Sequence, residues 1–115
     1  WKFKKLDLDR VAEFSPEAAI ELFDTGVNMG IVRAAKFLQE ALNLMNRNEK
    51  LFDDLKVDGW CGNVTFNALN KLKSYDKKPL LKVLNGLQFC HYKEIVEKNP
   101  KLERFFVGWM KRVEY

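Results

Sequence analysis

Apolar residues recur along this chain at three- and four-residue intervals, while the period-two alternation of a half-buried strand is nearly absent. The pattern predicts a string of helices. Trp1 to Lys5 reads as an extended entering arm, and Leu8 and Val11, three apart, mark a short helix from Asp7 to Phe14. Ser15-Pro16-Glu17 is a helix start: Ser15 can cap, Pro16 fits the first helical position, and Glu17 complements the positive helix end. In that second helix Ile20, Phe23 and Val27 form the apolar stripe expected to meet the core, and Asn28-Met29-Gly30 ends it. A third helix runs from about Ile31 to Met45, with Val32, Ala35, Leu38, Leu42 and Met45 on the 3.6-residue period. Ala34 and Ala35 are small enough to permit close helix contact, and Asn46-Arg47-Asn48 closes the segment.

Further along, Leu51 to Leu55 predicts another helical turn, and Asp58-Gly59 a tight turn able to close a very short hairpin. Asn63 is the expected cap of a helix carrying Phe66, Leu69 and Leu72. Ser74 to Lys78 reads as a polar helix–helix connection, too short for a flexible interdomain linker. A long helix from Pro79 to about Lys98 places Leu80, Leu84, Leu87 and His91 on one stripe. Asn99-Pro100 opens the last helix, with Leu102, Phe105, Phe106 and Trp109. The expected fold class is all-α: one compact multi-helix domain over residues 1–115, with at most a tiny hairpin near Asp58-Gly59.

Composition changes this picture only by exclusion. At 115 residues with 47% apolar positions, the chain suits one packed core. Its net charge of +4 is mild, and the longest basic cluster, Lys2 to Lys5, is broken by Phe3. A nucleic-acid footprint concentrates Lys and Arg on one face, so no nucleic-acid partner is expected. No apolar run reaches the roughly 18 residues of a membrane span, and no signal-peptide pattern opens the chain. The first residue is Trp rather than Met, so the chain reads as a fragment or processed product. Cys61 and Cys90 are too few for a disulfide framework and read as two small semi-buried apolar side chains.

Three stretches carry candidate chemistry. The first is Val57-Asp58-Gly59-Trp60-Cys61-Gly62-Asn63-Val64-Thr65, downstream of Leu38-Gln39-Glu40-Ala41-Leu42. Gly59 and Gly62 would supply backbone shapes that side chains forbid, and Asp58 would bond exposed amides and hold the loop over a helix start. Such a loop would leave backbone donors and acceptors beside a shallow groove, with Trp60 as a sugar platform; the alternative is a purely architectural turn. In the second stretch, Phe23 to Gly30, Asp24 and Asn28 stand four apart on one helix face. They would either edge a saccharide cleft or satisfy neighbouring helix ends. In the third, Gly108-Trp109-x-x-Arg112, Trp109 could stack on a sugar or join the Phe105, Phe106 core stripe, and Arg112 could meet a carboxylate.

His91, the sole histidine, lacks partners at metal-ligand spacing, so neither metal nor cofactor is expected. Glycoside cleavage needs a desolvated general acid, often with a second carboxylate about 5–9.5 Å away. Glu40, Glu94 and Glu97 sit in charged helical contexts, and no catalytic residue is expected in this chain.

The ordered motifs Leu22 to Gly30, Ala35 to Gln39, Val57 to Gly62, Thr65 and Gly108-Trp109-x-x-Arg112 resemble the phage and bacterial secretion-activator proteins, lysozyme-like N-acetylmuramidases. The resemblance runs from about residue 8 to residue 114, with Cys61 and Asn63 standing where other residues are usual. It implies the predicted peptidoglycan-binding, C-terminal portion of such an enzyme. The family's Glu-Gly-Gly catalytic motif is absent. The implied partners are peptidoglycan glycan strands and an N-terminal catalytic part of the same protein. The implied location is the periplasm or cell exterior, and Asp24, Asn28, Asp58, Trp60, Trp109 and Arg112 would contact substrate. The rival expectation is a non-enzymatic helical protein–protein module of a secretion or phage lysis system.

Overall fold

The structure is a computed structural model that describes residues 2, 3, 5–111 and 113. It is all-α apart from one two-residue ladder. In chain order the elements are β1 (Lys2–Phe3), β2 (Leu6–Asp7), α1 (Leu8–Phe14), α2 (Pro16–Met29), α3 (Ile31–Leu44), α4 (Asn63–Asn70), α5 (Lys77–Lys98) and α6 (Glu103–Met110). β1 pairs antiparallel with β2, Lys2 opposite Asp7 and Phe3 opposite Leu6. The hairpin therefore lies in the entering segment. The residues around Asp58-Gly59 form no strand, because their backbone amides are engaged by side chains.

Two compact units divide the chain, Trp1–Leu84 and Asn85–Tyr115. In the first unit α1 packs on α2, α2 on α3, and α4 touches both α1 and α3. Local chemistry fixes the helix starts. Asp7 accepts from the amides of Asp9 (3.1 Å) and Arg10 (3.4 Å), and Ser15 Oγ accepts from Ala18 (3.1 Å) ahead of Pro16. α2 and α3 are joined by the single residue Gly30, at φ +94° and ψ 151°. That conformation is nearly closed to any residue with a Cβ, and it lets two helices meet without a loop.

The first unit's core contains Leu6, Leu8, Val11, Leu22, Leu38, Leu42, Phe66 and Leu69, with Ala18, Ala19, Ala34 and Ala35 buried on α2 and α3. The buried face of α2 is thus Ala18, Ala19, Glu21, Leu22 and Thr25. Ile20, Phe23 and Val27, expected inside, are exposed; Val27 retains 67% of its surface. The alanines win because they let α2 and α3 approach closely, which bulkier side chains would prevent. One other expectation fails locally, and the helix–helix connection expected over Ser74 to Lys78 ends two residues early. Leu51 to Leu55 is bend and irregular chain, held by Asn43 and Asn46 amides instead of a helical ladder. Ser74–Asp76 forms a 3₁₀ turn that leads straight into α5 at Lys77, with Asp76 Oδ2 accepting from the Lys73 amide (2.8 Å).

In the second unit the later part of α5 is followed by a 3₁₀ turn over Pro100–Leu102 and then α6. Tyr92 and Trp109 stack at 5.0 Å, Phe105 lies 6.1 Å from Trp109, and Phe89 meets Phe106 edge-on. Both cysteines are free; Cys61 is buried as expected, but Cys90 is exposed on α5.

Candidate functional site

The loop from Asp58 to Gly62 is organised by one buried side chain, Gln39 on α3. Gln39 Oε1 accepts from the amides of Asp58 (3.1 Å) and Gly59 (2.9 Å). Its Nε2 donates to Asp58 Oδ1 (3.1 Å) and the Trp60 carbonyl (3.0 Å), with a weaker 3.5 Å approach to Thr65 Oγ1. A primary amide presents donors and acceptors in one plane, so Gln39 can replace the backbone partners a hairpin would have supplied. Leu38 beside it on α3 is fully buried. The Leu-Gln pair therefore anchors the helix and shapes the loop in adjacent positions.

Asp58 completes the turn by accepting from the Trp60 amide through Oδ1 (2.9 Å). That bond, then the Gln39 bond, holds the Asp58 carboxyl below the ordinary carboxylate value of 3.8. Asp58 Oδ2 has no partner among the described residues. Gly59 sits at φ +79°, and a Cβ there would lie 2.7 Å from Val32 Cγ1 on α3. The loop rests on α3 so closely that only glycine fits. Gly62 carries no such demand: its φ of −105° suits any residue, and a Cβ would meet nothing nearer than Trp60 Cδ1 at 3.9 Å.

The far side of the loop is equally pinned. The Cys61 amide donates to the Lys5 carbonyl (2.8 Å), and its thiol lies 3.6 Å from the Ala35 carbonyl. Burial, reinforced by the Asp58 charge, pushes the Cys61 thiol up to about 12, so it is a protonated packing group near neutral pH. Asn63 is the first residue of α4 and does not cap it; the cap position is Gly62, which has no side-chain bond to offer. The Asn63 side chain instead accepts from Arg10 Nη1 (3.0 Å), whose guanidinium lies over the Phe66 ring at 4.3 Å.

These constraints leave a groove of about 310 Å³ bordered by Lys56, Asp58, Trp60, Asn63, Val64 and Thr65. Trp60 is 49% exposed and Val64 72% exposed, so the groove offers apolar surface beside a charged carboxylate. Residues 33–114, more than half of the chain, match the family described as Predicted Peptidoglycan domain.

The chain belongs to this predicted peptidoglycan domain family. The matched segment contains Gln39, the Asp58–Gly62 loop and the whole groove border. No curated protein matches the chain.

Other expected site residues distribute as follows. Asp24 and Asn28, on α2, precede the segment matched to the predicted peptidoglycan domain. Asn28 Nδ2 donates to the Asp24 carbonyl (2.9 Å) and to Asp24 Oδ1 (3.1 Å), which ties the pair to each other along one helix face. Trp109, half-buried in the second unit, has Tyr92 stacked on its indole. Arg112 lies outside the described residues. In the second unit a hollow of about 430 Å³ borders Val96, Pro100 and Phe106, and two of its rim charges are paired, Lys93 with Glu97 at 2.9 Å. Among the described residues no group of His, Cys, Asp and Glu could hold a metal ion, and no helix is long and apolar enough to cross a membrane.

The sequence offers Asp58 and Trp60 as candidates and gives Gln39 no role beyond its place in the motif. The available signal was a polar residue inside an otherwise apolar helical face, Phe37-Leu38-Gln39 with Ala41-Leu42. A buried amide at such a place demands partners, and the loop amides supply them.

Proposed function

We propose that this chain binds bacterial peptidoglycan through the groove beside Asp58 and Gly59, as the wall-gripping portion of a lysozyme-like muramidase. The observation that carries the reading is the half-exposed indole of Trp60 next to the Asp58 carboxylate, on a loop held by the buried Gln39 amide. Binding sites gain affinity when their groups are held in place before the ligand arrives. Family membership supports the cell-wall role independently of this geometry. On this reading the protein works at the wall, in the periplasm or outside the cell, alongside a catalytic part that supplies the acid absent here. Asp24, Asn28, Trp109 and Arg112 remain candidate contacts that the groove argument does not need.

Co-sedimentation with purified sacculi is the test. The chain should pellet with sacculi without clearing them, and Trp60→Ala should reduce the pelleted fraction at unchanged thermal stability. A chain that stays in the supernatant at low salt would sink the reading.

One observation favours a second reading, a helical protein–protein module. Ile20, Phe23 and Val27 form an exposed apolar stripe on α2. Light scattering and probe-dye binding distinguish the two. Self-association abolished by Val27→Asp, with no retention on sacculi, would favour the module.

A further inference from the structure

We propose that the lysines of residues 71–82 form a docking surface for an anionic phospholipid bilayer, separate from the groove beside Asp58.

Along the chain the net charge of +4 reads as mild. The fold gathers it in one place. Residues 71–82 hold five lysines, Lys71, Lys73, Lys77, Lys78 and Lys82, and one carboxylate, Asp76. The segment is therefore +4, the whole of the chain's excess, and the other residues carry basic and acidic side chains in equal number. Leu72, Asp76, Leu80 and Leu84 are buried at four-residue steps, while all five lysines are exposed. On α5, Lys78 and Lys82 stand one turn apart on the side opposite Leu80 and Leu84.

The one acid of the segment is spent on the fold. Asp76 accepts from the Lys73 amide (2.8 Å) and from Arg47 (2.6 Å). None of the five lysines forms an ion pair among the described residues. Lys77 Nζ lies 5.7 Å from the centre of the Phe14 ring, a contact that positions the ammonium and leaves its charge intact.

Stability does not account for this arrangement. Lys77 and Lys78 sit in the first turn of α5, where the positive helix end favours acids and none is present. Lys78 and Lys82 repel each other across one turn. Cations held against these costs favour a negative partner that compensates them.

The composition of the patch names the class of partner. It contains lysine and no arginine, so it offers mobile point charges and no planar fork for a single phosphate. Such charges suit a diffuse anionic surface. Tyr75, 72% exposed between Lys73 and Lys77, adds a ring with a polar tip, a side chain suited to the boundary between headgroups and acyl chains. Lysine stems can lie along the same boundary with their ammonium groups at the phosphates. The groove borders the start of α4 and Lys71 follows its last residue, so the two surfaces lie at opposite ends of one helix.

The test is co-sedimentation of the full chain with vesicles of phosphatidylcholine alone and of phosphatidylcholine mixed with phosphatidylglycerol, at low and high salt. The chain should pellet with the anionic vesicles at low salt, stay in solution with the neutral ones, and be released as salt screens the lysines. Lys78→Gln combined with Lys82→Gln should lower the partition coefficient about twentyfold, with thermal stability unchanged or raised. Lys98→Gln combined with Lys101→Gln, the same charge change outside the segment, should lower it less than about twofold. Equal losses in the two double variants would reduce the effect to net charge and overturn the proposal. So would equal pelleting with neutral vesicles, no vesicle binding at all, or binding of duplex DNA or polyphosphate in place of vesicles.

Discussion

Gln39 holds three consecutive loop residues, Asp58, Gly59 and Trp60, from one buried position. Its removal strands the Asp58 and Gly59 amides and the Trp60 carbonyl together. Gln39→Ala should therefore destabilise the fold by about 2 kcal/mol, read from urea unfolding, because groups left unpaired near the core cost more than an average hydrogen bond contributes. Gln39→Glu should do at least as much harm, since it loses the donor and sets a second carboxylate beside Asp58. Asp58 makes the loop pH-sensitive in a defined direction. Its folded-state carboxyl titrates below the ordinary 3.8, so its contribution is complete above that value and lost as pH falls through the lower folded one. Asp58→Asn should flatten the acid limb of a stability–pH curve and leave the region above pH ~5 unchanged in slope. Asp76 belongs to the same acid limb: burial raises its carboxyl, but the Lys73 amide and Arg47, at 2.6 Å, more than offset that. The double comparison with Asp76→Asn separates the two contributions. At this scale the sequence disclosed Asp58, Gly59 and Trp60 because turn chemistry is local. Gln39 stayed hidden because its partners lie 19 to 26 positions downstream.

Helices here are begun by local signals and oriented by distant ones. Ser15-Pro16 starts α2 and Gly30 ends it, all legible from residue type. Which face of α2 turns inward was not legible, since both Ala18-Leu22-Thr25 and Ile20-Phe23-Val27 keep helical spacing. Burial decided for the small residues because α3 brings Ala34 and Ala35 into the same core. The connection after α3 stores strain: Arg47, Asn48 and Glu49 all take positive φ, at 56°, 60° and 64°. Buried Asn46 clamps it, donating to the Phe52 carbonyl (2.6 Å) and Asp54 Oδ1 (3.0 Å) and accepting from the Phe52 amide (3.0 Å). Left-handed backbone costs an ordinary L-residue about 1–2 kcal/mol, and glycine nearly nothing. Glu49→Gly should accordingly raise stability by about 1 kcal/mol in chemical denaturation, despite losing a weak 3.4 Å bond to the Asp54 amide. An unchanged or lower midpoint would show that the clamp relieves the strain already.

Across the whole molecule, the boundary between the two compact units falls inside α5, between Leu84 and Asn85. We propose one domain over residues 1–115. Far-UV and near-UV circular dichroism melts should then coincide; two separated transitions would divide the chain into independent folding units. The sequence by itself determined the all-α class, the starts of α2 and α3 and the identity of the motif around position 59, because capping, helical periodicity and glycine-dependent turns act over a few residues. Only the tertiary structure decided that α2 shows its larger apolar residues to solvent, that the tiny hairpin belongs to the entering segment, and that the loop amides from Asp58 to Cys61 are engaged by Gln39, Asp58 and Lys5. Those outcomes depend on which residues compete for the same buried space and the same hydrogen bonds, and the competitors lie far apart in the chain.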